Sequence, residues 1–276
     1  MAAVTVPADS LGPADVARES MARRARYSIT DSAALMRRNL THIYRVPALI
    51  VFTAIQPIMF TLLFRYVFGG AIHTSAGSYV SYLIPGIVIQ TAGFASVTTA
   101  IGLSKELSEG VIDRFRSMPI ARSAVLLGRL GADSLRILLT VIILLAVGYA
   151  VGFRISTGFG DTIAMIALSV GFGIALCCVS AWIGLSLKDP ESVQGFAFIW
   201  LFPVVFASGV FVPVTSMPGW LQDFARNNPV TLLAEAARNL TIGSTAGNSI
   251  WLSVVWIVGI TAVFGVLAVR AYRKAV

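Results

Sequence analysis

The sequence LSKELSEGVIDRFRSMPIARS, residues 103–123, is a long charged stretch that lies between two hydrophobic segments. Its apolar and charged residues fall at helical spacing on opposite sides. The apolar side consists of Val111, Ile112, Phe115 and Met118, and the charged side of Glu109, Asp113, Arg114 and Arg116. Because Pro119 disfavours helical geometry at the preceding residue, the pattern predicts a helix from near Ser108 to about Ser117.

A helix of this length is marginal alone in water, where about 12 to 15 residues are needed for stability. One interpretation is that a partner protein holds the helix. The alternative is a solvated cytoplasmic loop that lies on the bilayer. The residue pattern leaves both interpretations open.

The composition places the chain among membrane proteins. Hydrophobic residues make up 57% of its 276 residues and charged residues only 12%, whereas about a quarter of the residues of a soluble domain are charged. Long apolar runs with few charges indicate a polytopic membrane protein. The net charge of +8 does not indicate nucleic-acid binding, because the sequence lacks aromatic stacking platforms in basic surroundings.

The sequence predicts an all-α integral membrane protein with six transmembrane helices. Additional predicted elements are an N-terminal interfacial helix, a cytoplasmic helix between spans 2 and 3, and a re-entrant helical hairpin before span 6. The predicted spans are about 48–68, 79–103, 130–153, 162–187, 193–212 and 250–269. The other segments are a cytoplasmic tail at 1–29, the interfacial helix at 30–46, the charged segment at 104–123, the hairpin at 213–240 and a tail at 271–276.

Two of these elements, the interfacial helix and the hairpin, are predicted from their composition. Residues 30–46 carry an apolar stripe opposite a row of arginines and end before Pro47, which is typical of a helix that lies in the membrane interface. Residues 213–240 remain apolar although Pro213, Pro218 and Pro229 interrupt them. A plain extracellular loop would be more polar, so this segment predicts two short helices, about 220–226 and 229–240.

The positions of the basic residues predict the orientation. All but four of the 21 lysine and arginine residues fall in the N-terminal segment, the charged stretch with the start of span 3, the turn after span 4, or the C-terminal tail. The four exceptions are Arg65, Arg154, Arg226 and Arg238. The bias places both termini in the cytoplasm, which requires an even number of spans.

The sequence offers no evident site for catalysis or for an ion. It contains no phosphate-binding loop GxxxxGK[ST], no HExxH and no GxSxG, and the six predicted apolar cores contain no Asp or Glu. Cys177 and Cys178 are adjacent in an apolar run and the two histidines are isolated, so no metal site is predicted. Asp133 lies four residues after Arg129 and three before Arg136, which predicts a structural ion-pair cluster on one face of span 3.

The layout after the N-terminal tail resembles the type-2 ABC exporter permeases, in particular the daunorubicin-resistance (DrrB-like) branch of actinobacteria. The resemblance rests on the interfacial helix, the six spans, the broken hairpin and the cytoplasmic segment. In that segment Glu106, Gly110, Val111, Asp113 and Pro119 loosely fit the family pattern E-x-x-x-G-T/V-x-E/D followed by a proline. The motif is degenerate, so its position between spans 2 and 3 carries most of the specificity.

The resemblance implies the permease subunit of an ATP-driven exporter, without an ATP site of its own and without metal or cofactor. Two copies of a separate ABC ATPase subunit would hydrolyse ATP with Mg²⁺, and the permease would pair with a second copy or a related permease. The substrate would be an amphipathic drug, lipid or glycolipid that leaves across the cytoplasmic membrane. The residues implied in coupling to the ATPase are Glu106, Glu109, Gly110, Val111, Asp113, Arg114, Phe115, Arg116 and Pro119, bordered by the interfacial-helix residues Leu35, Arg37, Arg38 and Tyr44.

The resemblance further implies that the first, second and fifth spans line the translocation path. The candidate path residues are Gln56, Phe60, Gln90, Phe94, Gln194, Phe198 and Trp200. For each of them, ordinary packing between helices is the alternative.

Two other functional classes remain as alternatives. An ion-coupled secondary carrier acting alone would place ionisable groups or inverted repeats in the membrane, and neither is evident. A membrane-embedded enzyme or assembly factor would require acidic, histidine or cysteine side chains clustered near the interface.

Overall fold

The computed structural model describes residue 36, residues 47–70, residue 72, and residues 78–110, 122–244 and 248–275. The regular elements of these residues are helical. In chain order they are α1 (Pro47–Leu63), which continues as a π-helical segment (Phe64–Phe68), α2 (Tyr79–Ser108), α3 (Arg122–Ala150), α4 (Phe159–Leu187), α5 (Pro190–Phe206), a 3-10 turn (Val214–Ser216), α6 (Gly219–Asn227), α7 (Pro229–Ile242) and α8 (Ser249–Ala275).

Four of the described helices are long and apolar enough to cross a membrane, namely α2, α3, α4 and α8. The apolar helices α1 and α5 have 17 residues each, which at 1.5 Å per residue is about 25 Å. The chain is therefore an all-helical, multi-pass membrane protein.

Helix α2 is the centre of the bundle. It packs against α3, α4, α5 and α7, and the side chains of Leu83, Ile87 and Ala92 have no exposed surface. Helices α2 and α4 approach closely where a β-carbon on Gly184 would overlap the Ala100 carbonyl. Helix α8, in contrast, has only a narrow buried face and exposes apolar side chains along most of its length, as expected of a helix that faces lipid.

Helix α2 continues past the predicted end of span 2 at residue 103 and ends at Ser108. It ends there because Gly110 adopts a left-handed conformation with φ of 67°, which glycine reaches without the steric cost of a side chain. The helix that the sequence predicts from near Ser108 therefore does not begin at that residue. Residues 111–121 lie outside the described residues, as does the interfacial helix except for Met36, which is helical.

Helix α5 begins at a proline and is capped by Asp189, whose carboxylate accepts a hydrogen bond from the Ser192 backbone N–H at 2.8 Å. Hydrogen bonds from Ser192 keep the pKa of Asp189 below its usual value; the bond from the Ser192 hydroxyl has the larger effect, and the bond from its backbone N–H the smaller one. The helix ends at Phe206, whereas the sequence predicts a span that reaches 212. At this end the Asn228 amide and the Ser208 hydroxyl donate to the carbonyls of Val204 and Val205.

Two short helices occupy the predicted hairpin. Helices α6 and α7 begin and end within two residues of the predicted bounds. The Asn228 side chain accepts a hydrogen bond from the Val230 N–H at 2.9 Å and caps α7, which begins at Pro229. Gly243 ends α7 in a left-handed conformation. Most of α7 is buried, whereas α6 exposes Trp220 and Phe224.

Candidate functional site

Eight phenylalanine rings form one continuous contact chain, here called the phenylalanine column. It joins α1 with its π-helical extension, α2, α5 and the turn after α5. The column consists of Phe60, Phe64, Phe68, Phe94, Phe198, Phe202, Phe206 and Phe211.

The rings are close enough for favourable aromatic contact along the whole column. Phe94 lies 6.3 Å from Phe198 and 6.0 Å from Phe202 between ring centroids. Phe202 stacks on Phe206 at 4.6 Å, and Phe206 stacks on Phe211 at 5.2 Å. All these distances lie within or close to the 4.5–7 Å range of aromatic pairs.

Beyond Phe211 the column continues along the C-terminal part of α1 and its π-helical extension. Phe211 stacks on Phe64 at 4.4 Å, and Phe64 stacks on Phe68 at 5.1 Å. Phe60 lies 6.1 Å from Phe206 and 6.0 Å from Phe211. The five ring-to-ring steps from Phe198 to Phe68 measure 4.4 to 6.3 Å each, so the column extends over at most about 26 Å of the roughly 30 Å hydrocarbon thickness of a bilayer.

One side of the column is open and the other is packed against the core. Phe68, Phe198 and Phe202 expose about two-fifths of their surface, whereas Phe211 is 4% exposed. The column therefore presents a long apolar surface that can contact planar or aliphatic groups without a polar partner.

The sequence signal for the column is a pair of four-residue repeats. Phe60, Phe64 and Phe68 recur at intervals of four, and Phe198, Phe202 and Phe206 do so as well. Residues four apart lie on the same side of a helix. Only three members, Phe60, Phe94 and Phe198, were predicted as path residues; the repeats could have identified four of the other five. Phe211 follows the end of α5, and nothing local indicates its position.

The other predicted path residues do not join the column. Gln194 is exposed one turn before Phe198, near the N-terminus of α5, and Gln56 is exposed on α1. Trp200 lies roughly 160° around α5 from Phe202 at 100° per residue and packs against the core. Gln90 is buried on α2, 3% exposed. The sequence did not predict these positions, because the rotation of α5 about its own axis is set by its packing against α2.

Side chains hold the turn that follows α5, residues Ala207–Phe211, by its backbone. The Arg238 guanidinium, which is buried in α7, donates to the carbonyls of Gly209 at 2.7 Å and Val210 at 3.1 Å. It also donates to the carbonyl of Tyr82 at 2.8 Å and stacks over the Tyr82 ring at 3.5 Å.

Further side chains form hydrogen bonds with the backbone of this turn and of the last turn of α5. The hydroxyls of Tyr79 and Tyr82 donate to the carbonyls of Phe211 and Gly209. The Asn228 amide donates to the carbonyls of Val204 and Ala207, and the Thr231 hydroxyl accepts from the Gly209 N–H. Because Phe206 and Phe211 flank this turn, the same hydrogen bonds fix the middle of the phenylalanine column.

A cluster of ionic groups lies toward the other end of α2. The Asp133 carboxylate, 6% exposed, pairs with Arg136 at 2.8 Å and lies 3.9 Å from Arg129. This arrangement confirms the predicted cluster on span 3. Arg129 also pairs with Glu106 at 3.1 Å, and the Thr99 hydroxyl donates to Asp133 at 2.6 Å. The cluster therefore joins α2 to α3.

Three of the predicted coupling residues are described. Glu106 lies on the last turn of α2 and pairs with Arg129. Glu109 and Gly110 form the turn that ends the helix, and Glu109 lies 3.8 Å from Lys105. The other six coupling residues and the four interfacial-helix residues lie outside the described residues.

Comparison with known proteins identifies the family. The family model of the ABC-2 type transporter matches residues 31–242, which is more than half of the chain. The chain belongs to the ABC-2 type transporter family. The matched region includes the phenylalanine column, the ionic cluster and α7.

Curated relatives of this ABC-2 type transporter include permeases connected with drug resistance. The daunorubicin resistance ABC transporter permease protein DrrB1 of Streptomyces coeruleorubidus is 32% identical over 242 residues, covering 85% of this chain and 86% of its own length. The probable doxorubicin resistance ABC transporter permease protein DrrC of Mycobacterium tuberculosis is 27% identical over 252 residues, with 91% of each chain covered. The probable multidrug ABC transporter permease YbhR of Escherichia coli is 25% identical, with 72% and 54% covered.

The described part of this ABC-2 type transporter contains no group of three or more His, Cys, Asp or Glu residues placed to hold a metal ion. Its chemistry at the column is that of apolar contact between aromatic rings. As a member of this family, the chain is the membrane-spanning permease subunit of an ABC transporter, which works with an ATPase partner and a permease partner.

Proposed function

We propose that this permease exports an amphipathic molecule with a flat or extended apolar part, a drug, lipid or glycolipid, across the cytoplasmic membrane. The observation that carries the proposal is the phenylalanine column, which offers such a molecule apolar contact over most of the membrane thickness. The daunorubicin- and doxorubicin-resistance relatives support a drug as the substrate.

The proposed topology has six spans with both termini in the cytoplasm. It adds α1 and α5 to the four long apolar helices, since about 17 apolar residues are the shortest helix that spans a bilayer. An even number of spans agrees with the distribution of arginine and lysine. Helices α6 and α7 would then form a re-entrant hairpin on the outer side, which the burial of α7 supports.

The energy for transport would come from ATP hydrolysed with Mg²⁺ by two copies of a separate subunit, since this chain has no phosphate-binding loop. The coupling contact would comprise Glu109, Gly110 and the predicted residues up to Pro119, bordered by the interfacial helix. Glu106 would anchor this segment to α3 through Arg129. A second copy of the permease, or a related one, would complete the transporter.

Copurification of the full-length chain with a candidate ABC ATPase tests this function. We expect a stable complex whose ATP hydrolysis drives daunorubicin into inverted membrane vesicles. The same vesicles given a proton or sodium gradient without ATP should show no uptake. Uptake driven by the ion gradient alone would instead support the secondary carrier, and failure to form an ATP-hydrolysing complex would contradict the proposed coupling.

The column itself is tested by Phe202→Ala. Removing this ring should lower ATP-driven daunorubicin uptake by about two- to tenfold, because one aromatic contact contributes about 0.5–1.5 kcal/mol beyond its buried area. Phe196→Ala is the matched control. Phe196 lies on the same helix and is equally exposed, at 46%, but points about 120° away from Phe202. Equal loss of uptake in the two variants would contradict a role specific to the column.

A further inference from the structure

The side chain of Gln90 has an unpaired polar atom in the middle of α2. Gln90 is 3% exposed, and its Oε1 is inaccessible and accepts no hydrogen bond from the described residues. An uncompensated buried amide costs about 1–3 kcal/mol. Other buried polar side chains of α2 are paired: Thr91 donates to the Ile87 carbonyl and Ser96 to the Gly93 carbonyl.

The neighbours of Gln90 fix the direction in which it points. At 100° per residue, Gln90 projects from α2 between the directions of Gly93 and Phe94. A β-carbon on Gly93 would contact Leu176 and Phe172 of α4 as well as Leu201 of α5, whereas Phe94 contacts Phe198 and Phe202 of α5. The Gln90 side chain therefore points toward α5, on the side where α5 lies next to α4.

The contacts of Phe94 and Gly86 also indicate where Gln90 lies along the length of the column. One turn toward the α2 C-terminus, Phe94 contacts both Phe198 and Phe202. One turn toward the α2 N-terminus, Gly86 lies against the Val210 carbonyl. Gln90 therefore lies between these two levels, close to the part of the column that contains Phe206.

A carbonyl oxygen in this position selects for one kind of chemistry. It accepts a hydrogen bond from an N–H or O–H group of a ligand. In a dry, apolar site, a polar group that is left without its partner discriminates strongly against ligands that lack the matching group. The surrounding phenylalanines would hold the apolar part of the same ligand.

We propose that Gln90 is a specificity-determining residue, and that its Oε1 accepts a hydrogen bond from an amino or hydroxyl group on the aromatic or otherwise apolar body of the transported molecule. This inference rests on the proposed function of the phenylalanine column. It adds that the preferred substrate carries a hydrogen-bond donor next to its apolar surface.

The test uses two uncharged probes of nearly the same shape, 1-aminopyrene and 1-methylpyrene, of which only the first donates a hydrogen bond. Their binding to the full-length chain in lipid nanodiscs is measured by energy transfer from tryptophan, with empty nanodiscs as the reference for partitioning. We expect the wild-type chain to bind the amine about five- to tenfold more tightly, the ratio that one net hydrogen bond of about 1 kcal/mol or slightly more produces.

The variant Gln90→Leu should abolish this preference, with 1-methylpyrene bound as tightly as before or more tightly. Thr91→Val is the matched control: it removes a polar group from the adjacent residue, whose hydroxyl already has a partner, and should keep the preference. Equal affinity of the wild-type chain for both probes, or an unchanged preference in Gln90→Leu, would overturn the assignment of Gln90 while leaving the column intact. Absence of binding by either probe would overturn both the assignment and the proposed role of the column.

Discussion

Replacing Asp133 with leucine is expected to destabilise the folded permease by about 3 kcal/mol, because it leaves the mostly buried Arg136 without its carboxylate partner. The Thr99 hydroxyl and Arg129 would lose a contact as well. The thermal unfolding midpoint in detergent and the amount of folded protein recovered from membranes measure the effect.

Two further variants separate ion pairing from simple loss of packing. The double replacement Asp133→Leu with Arg136→Leu should recover part of the stability, since a buried ion pair can often be replaced by apolar side chains at little cost. Glu109→Gln is the surface control: its partner Lys105 lies 3.8 Å away and both side chains are more than half exposed, so the loss should remain below about 1 kcal/mol. A double variant no more stable than Asp133→Leu would contradict the ion-pair explanation.

Replacing Arg238 with methionine should have an effect of similar size, about 3–5 kcal/mol, because three buried carbonyls lose a charged donor at once. The loss should also loosen residues 207–211, and with them the middle of the phenylalanine column. The unfolding midpoint reports the stability, and limited proteolysis of the folded protein reports the local opening of this turn.

Arg226→Met is the matched control in the same hairpin. Arg226 is exposed and bonds only to the nearby Gln222 side chain in the described structure, so its replacement should leave both measurements unchanged. Arg238→Lys should be intermediate, since an ammonium group on a flexible stem does not reproduce the planar fork of a guanidinium. Equal behaviour of the methionine variants at 226 and 238 would show that the buried hydrogen bonds do not hold the turn.

Several features of this molecule could be predicted because their causes are local in the chain. The ion pairs of Asp133 with Arg129 and Arg136 join residues three and four apart on one helix, a spacing that brings side chains together in any α-helix. Helix α7 begins at Pro229 and ends before Gly243 for equally local reasons. Local signals were insufficient at the end of α2, where Gly110 rather than a residue near 103 ends the helix.

Helix rotation and long-range hydrogen bonds could not be predicted in this way. Trp200 and Phe198 are close in the chain and both were predicted to line the path, yet they lie on different sides of α5. Phe211 joins the column, and Arg238 binds the turn after α5, through contacts with residues far apart in the sequence. The unpaired oxygen of Gln90 likewise depends on what α5 places opposite it.

The sequence by itself determined that this is a helical membrane protein, and the resemblance of its layout pointed to the ABC permeases, because apolar run length, charge bias and helical spacing are properties of short segments. Only the tertiary structure decided which phenylalanines form the column, which carbonyls Arg238 binds and which glutamine remains unpaired. Those outcomes depend on the rotation and depth at which each helix packs against α2, and that packing is set jointly by side chains from several helices.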